Sequence, residues 1–122
     1  MELRERVSFL VLENQAAVTT PISFELSRGA RTAQEAEHLK MRLDSLHPFP
    51  FTETDWLEAA LWAMGLARKG VNVKSMDVLI AYKAHRHGLT LLHMDKDFDR
   101  IAKAARIKVE SWAGRIAALR KQ

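Results

Sequence analysis

Four acids in this chain, Glu25, Asp77, Asp95 and Asp97, are of the type and placement that could hold a divalent cation. Carboxylates gathered at one place repel and raise one another's pKa unless a cation neutralises them. A ligand set of oxygens alone suits Mg²⁺ or Mn²⁺ rather than zinc. Such a centre could activate a water and stabilise charge on a phosphate attacked in line. Each acid also has a plain structural reading. Asp77 suits the positive end of a helix, Asp95 and Asp97 are common turn formers, and Glu25 could be a solvated helix residue. The chemical reading therefore rests on where the elements send the acids together.

The stretch Val73 to Phe98 makes that case. Ser75 is an N-cap candidate that puts Asp77 in a first helical turn, and Gly88 falls at C′ of the same helix. Leu89 to Leu92 reads as a short buried strand, and Asp95 and Asp97 follow its carboxyl end. In open α/β sheets that edge is where ligands bind. Earlier in the chain, Ala16 to Thr19 is a second short strand. Thr20 and Pro21 then open a helix as N-cap and N1, with Glu25 in its second turn. A parallel sheet would send all four acids towards one edge.

The remaining elements fill in an α/β domain with a mainly parallel sheet. Leu3, Val7, Leu10 and Val11 predict an amphipathic first helix. A helix from about Thr32 to Ser45 has Ala36, Leu39, Leu43 and Leu46 on one face. His47 to Phe51, with two prolines, reads as an extended connector. The next helix, from about Glu53 to Arg68, carries Trp56, Leu57, Leu61, Trp62 and Met64. These go round more than one face and predict packing on two sides, by core or by a dimer contact. After Phe98 come a helix to about Ala105, a strand Ile107 to Val109, and a basic tail through Trp112 to Gln122.

Composition narrows the class. The 122 residues are 48% hydrophobic and 28% charged, with a net charge of +4. That length predicts a single domain, and the basic excess permits a nucleic-acid partner without demanding one. There is no cysteine, which excludes disulfides and thiolate ligands and fits a reducing cytoplasm. No apolar run reaches the length of a membrane span, and the charged opening Met-Glu-Leu-Arg-Glu-Arg does not read as a signal peptide. The histidines form no rival site. His85 and His87 face different ways on a helix, His38 and His47 have no partner in reach by sequence, and a lone His93 is more often a structural donor. No Gly-rich phosphate loop or nucleophile elbow is present.

Three segments together resemble the PIN domain. They are Phe24-Glu25-Leu26-Ser27-Arg28-Gly29-Ala30, Lys74-Ser75-Met76-Asp77-Val78-Leu79-Ile80-Ala81, and Leu91-Leu92-His93-Met94-Asp95-Lys96-Asp97-Phe98. They stand in the order of that family's motifs and are most similar to the VapC-type toxins of toxin–antitoxin pairs. The resemblance spans about Ala16 to Val109 and implies a single three-layer α/β/α domain over 1–122. It implies a Mg²⁺- or Mn²⁺-dependent endoribonuclease that is cytoplasmic, dimeric, and held inactive by a partner antitoxin. It assigns the metal-site and catalytic acids to Glu25, Asp77 and Asp95, with Asp97 as an accessory fourth. Arg28, Lys74, Lys96 and Arg100 flank these acids and are candidates for RNA phosphates.

One departure bears on activity. PIN domains open with an apolar strand ending in Asp-Thr or Asp-Ser, and this sequence starts after that point. The expectation is either a start codon upstream or a truncated copy, weakly active and prone to self-association through an open sheet edge. The alternative function is thus an inactive PIN-fold module that binds an antitoxin or dimerises.

Overall fold

The computed structural model describes residues 2–113. They fall into two compact units, Met1–Phe51 and Thr52–Gln122. The basic tail after residue 113 lies outside the described residues.

The first unit runs α1 (Leu3–Leu12), β1 (Ala17–Thr19), α2 (Thr20–Arg28), α3 (Ala33–Leu43) and β2 (His47–Phe49). Thr19, extended, is the N-cap of α2, one residue earlier than expected, and Pro21 lies in the first turn where its missing N–H is harmless. The N-cap of α3 is Thr32, whose hydroxyl accepts the Glu35 N–H at 3.1 Å. The expected face of this helix is the covered one, with Leu43 buried and Ala36, Leu39 and Leu46 half-buried.

One expectation is corrected in this unit. The stretch His47–Phe49 is a strand, paired in parallel with β1 in the register Ala17 to His47 and Thr19 to Phe49. A proline-rich segment already held extended loses little more freedom on pairing, and a proline is tolerated where its strand has an open edge. Helix α1 forms as predicted but buries no residue, and Val7 and Val11 are exposed. Its apolar spacing describes a face, and a face is buried only if another element covers it.

The second unit runs α4 (Glu53–Arg68), α5 (Ser75–Arg86), β3 (Leu91–His93), α6 (Lys96–Ala105) and β4 (Val109–Ser111). Helix α4 buries Asp55, Ala59 and Leu66 and packs with α5, which buries Ile80 to Ala84. On its second apolar face Trp56, Leu57, Leu61 and Met64 are exposed. Gly88 follows α5 with φ +65°, a left-handed conformation that glycine adopts without a Cβ clash.

Strands β3 and β4 pair in parallel, Leu91 with Val109 and His93 with Ser111. Both lie one to two residues later than predicted. The strands are thus parallel throughout, paired two by two within each unit. Helix α6 starts at Lys96, before Phe98, because Asp95 caps it; it buries Phe98 and Ile101 beside α5 and β4.

Candidate metal centre

Three of the four predicted acids meet in the second unit. One carboxylate oxygen each from Asp77, Asp95 and Asp97 lies within 4.8 Å of the other two, and all three residues are half-buried. Each arrives by a different local rule. Asp77 is the third residue of α5, whose first-turn N–H groups favour a carboxylate, and its Oδ2 is shut off from solvent. Asp95 ends the β3 connection and is the N-cap of α6, with Oδ1 accepting the Asp97 N–H at 2.9 Å. Asp97 then sits in the first turn of α6 and is contacted by Arg100 Nη1 at 3.5 Å.

The spacing fits a small hard cation. Oxygens on opposite sides of one Mg²⁺ lie about 4.2 Å apart, from a Mg–O distance of about 2.1 Å. The triad's oxygens lie within 4.8 Å of one another, so small side-chain shifts would gather them round one ion, and its donors are carboxylate oxygens alone. Three like charges held this close would otherwise repel, with Arg100 offering partial relief.

Glu25 belongs to the first unit, on α2. Its carboxylate is 3.4 Å from Arg28 Nε, an exposed i, i+3 pair. Among the candidate RNA-binding cations, Lys74 and Lys96 are exposed, and Arg28 and Arg100 are more than half exposed within their ion pairs.

Two groups have roles that the sequence reading did not assign. The first is His93, with its side chain only 2% exposed and its ring 5.2 Å from that of Phe98. Its Nδ1 accepts the Asp95 N–H at 3.2 Å. Nothing local in the sequence marked the histidine as buried.

The second group joins α4 to α5. Lys83 Nζ donates to Asp55 Oδ2 at 2.7 Å, with both side chains 5% exposed. The same oxygen accepts the Thr52 N–H at 2.7 Å, half of a capping box. Tyr82 has one hydroxyl proton, and its 2.5 Å contact makes Glu58 the acceptor, with Asp55 Oδ1 at 3.3 Å beyond it. Burial pushes the Asp55 carboxyl up, but the Lys83 ammonium and the Thr52 hydrogen bonds outweigh it and hold the pKa at about 2. Burial, and then Glu58, push the Tyr82 phenol up. The spacing Thr52-x-x-Asp55 was a readable start signal; its buried lysine partner 28 residues on was not.

Comparison with known proteins bears on this geometry. The PIN domain family model matches residues 2–104. Ribonuclease VapC21 of Mycobacterium tuberculosis is 32% identical over 111 residues, 88% of this chain and 80% of that protein. Among solved structures, DNA-bound VapBC from Salmonella typhimurium has a TM-score of 0.69 at 23% identity, covering 90% of this chain and 83% of that one. VapBC2 from Rickettsia felis, bound to a promoter DNA fragment, has a TM-score of 0.63 at 20% identity, covering 86% and 83%. At these identities the two structural likenesses concern the fold.

Proposed function

The chain belongs to the PIN domain family, among its VapC ribonucleases, and from that premise we propose that it is the toxin endoribonuclease of a VapBC-type pair. The observation that carries the reading is the convergence of Asp77, Asp95 and Asp97 from two helix starts onto one small volume. The substrate is RNA, and the bond broken is a phosphodiester.

Mg²⁺ or Mn²⁺ is the cofactor the donor set suits, and Asp77, Asp95 and Asp97 are the residues that would hold it. When bound, such a cation supplies Lewis-acid chemistry, polarising a phosphoryl oxygen and making water a better nucleophile. The chain's own residues do the placing. Helix α5 and the cap of α6 fix the carboxylates before substrate arrives, so no reorganisation is needed as charge develops. Asp97, shared with Arg100, is the member suited to orienting water. Exposed Lys74 and Lys96 would contact phosphates beside the cluster. Glu25 is assigned to catalysis on its motif.

The antitoxin partner follows from the same family reading, since the relatives solved with the shared fold are VapBC assemblies. The PIN-domain resemblance also implies a homodimer, and we propose one. The cytoplasm is the compartment where RNA and antitoxin would meet the chain, and no described helix is long and apolar enough to cross a membrane.

The direct test is RNA cleavage with Mg²⁺ or Mn²⁺ by the wild-type chain and by Asp77→Asn. Asparagine keeps the shape and suits the helix start, and it removes the charge that would hold metal. Cleavage by the wild type that chelator abolishes, with none by a folded Asp77→Asn variant, is the expected result. Equal cleavage by both would reduce Asp77 to a helix-start residue.

A further inference from the structure

We propose that His93 is a positioning residue for Asp95. It touches no candidate ligand through a carboxylate; it holds the peptide group from which Asp95 projects. This rests on the metal-centre reading above and adds a residue to it.

The geometry is specific. The Asp95 N–H donates to His93 Nδ1 at 3.2 Å. A nitrogen that accepts carries no proton, so this hydrogen bond places the ring proton on Nε2. That Nε2 lies 3.2 Å from Asp99 Oδ1, a close contact that is not a well-formed hydrogen bond. The other oxygen of Asp99 accepts from the Ser111 hydroxyl at 2.9 Å. Ser111 stands directly opposite His93 in the β3–β4 register. Contacts therefore run from β4 through Asp99 and the imidazole to the first turn of α6.

The consequence falls on two acids at once. Asp95 Oδ1 itself accepts the Asp97 N–H at 2.9 Å. Whatever fixes the Asp95 backbone also sets the direction of the α6 start and of Asp97. A buried imidazole is well suited to this, because a rigid ring presents an acceptor and a donor on different edges. Its packing against Phe98, itself in α6, leaves the ring little freedom to turn.

Three variants separate the two ring nitrogens. Asparagine places an amide oxygen near the Nδ1 position, glutamine reaches the Nε2 position, and alanine has neither. The readout is Mn²⁺ affinity of the metal-free chain by isothermal titration, with folding followed by circular dichroism. His93→Asn should bind within about threefold of wild type, while His93→Gln and His93→Ala should weaken binding about tenfold or more, as loss of an orienting contact typically does. A merely structural histidine would not distinguish asparagine from glutamine. His93→Gln binding as tightly as wild type, or a folded His93→Asn binding as weakly as alanine, overturns the proposal. Long-range ¹H–¹⁵N spectra of the wild type give a test independent of any variant: a proton on Nε2 supports it, and one on Nδ1 overturns it. Asp95→Asn is the control. If it leaves Mn²⁺ affinity unchanged, the metal assignment itself fails; if it weakens binding while His93→Gln does not, only the role of His93 fails.

Discussion

Lys83→Met isolates the buried ion pair that ties α5, the helix bearing Asp77, to α4. The methionine keeps most of the length of lysine and removes the ammonium 2.7 Å from Asp55 Oδ2. In the wild type the Asp55 pKa is held at about 2, against an ordinary 3.8. At about 1.4 kcal/mol per pKa unit, that difference contributes on the order of 2–3 kcal/mol to folding. Because the folded pKa is the lower one, this stability is present above about pH 4. It is lost as pH falls towards 2. Without Lys83, burial, the largest influence on this carboxyl, is opposed only by the Thr52 hydrogen bonds, and the folded pKa rises. Leaving a buried charge unpaired costs about 3–5 kcal/mol, a large share of the roughly 5–15 kcal/mol that holds a domain together. The pH dependence should also change: as pH falls from 7 to 5 the wild type loses stability through His87, which desolvation and then the charge of Lys83 hold below its ordinary pKa, and the variant should lose less. Urea unfolding at both pH values measures this. Adding Asp55→Asn should restore part of the loss at pH 7, since the amide needs no counter-charge. A loss under about 1 kcal/mol at pH 7, or a variant with the wild-type pH response, would refute the reasoning.

Two further outcomes follow from the site. Millimolar Mn²⁺ should raise the melting temperature by mass action, above Ca²⁺ and matched-salt controls, and Asp95→Asn should remove the shift; a shift that survives Asp95→Asn places the metal elsewhere. Glu25→Gln should sharply lower Mg²⁺-dependent RNA cleavage while barely changing the melting temperature, because its wild-type partner Arg28 forms only an exposed pair. Unchanged cleavage would make Glu25 a solvated helix residue.

Most of what the sequence determined by itself was local. The span of α4, the left-handed stop at Gly88 and the first-turn place of Asp77 all follow from capping and periodicity within a few residues. The carboxyl-end position of Asp95 and Asp97 was legible for the same reason, as was the parallel sense of the strands. Tertiary structure decided the rest. It made His47–Phe49 a strand, because only pairing with β1 turns an extended segment into one. It left Val7 and Val11 of α1 and Leu57, Leu61 and Met64 of α4 exposed, since apolar spacing says that a face exists and not what covers it. It also set the burial of Lys83 against Asp55 and of His93 beneath Asp95. A charged or titratable side chain enters a core only with a partner, and for Lys83 that partner lies 28 residues away, beyond the reach of any periodicity.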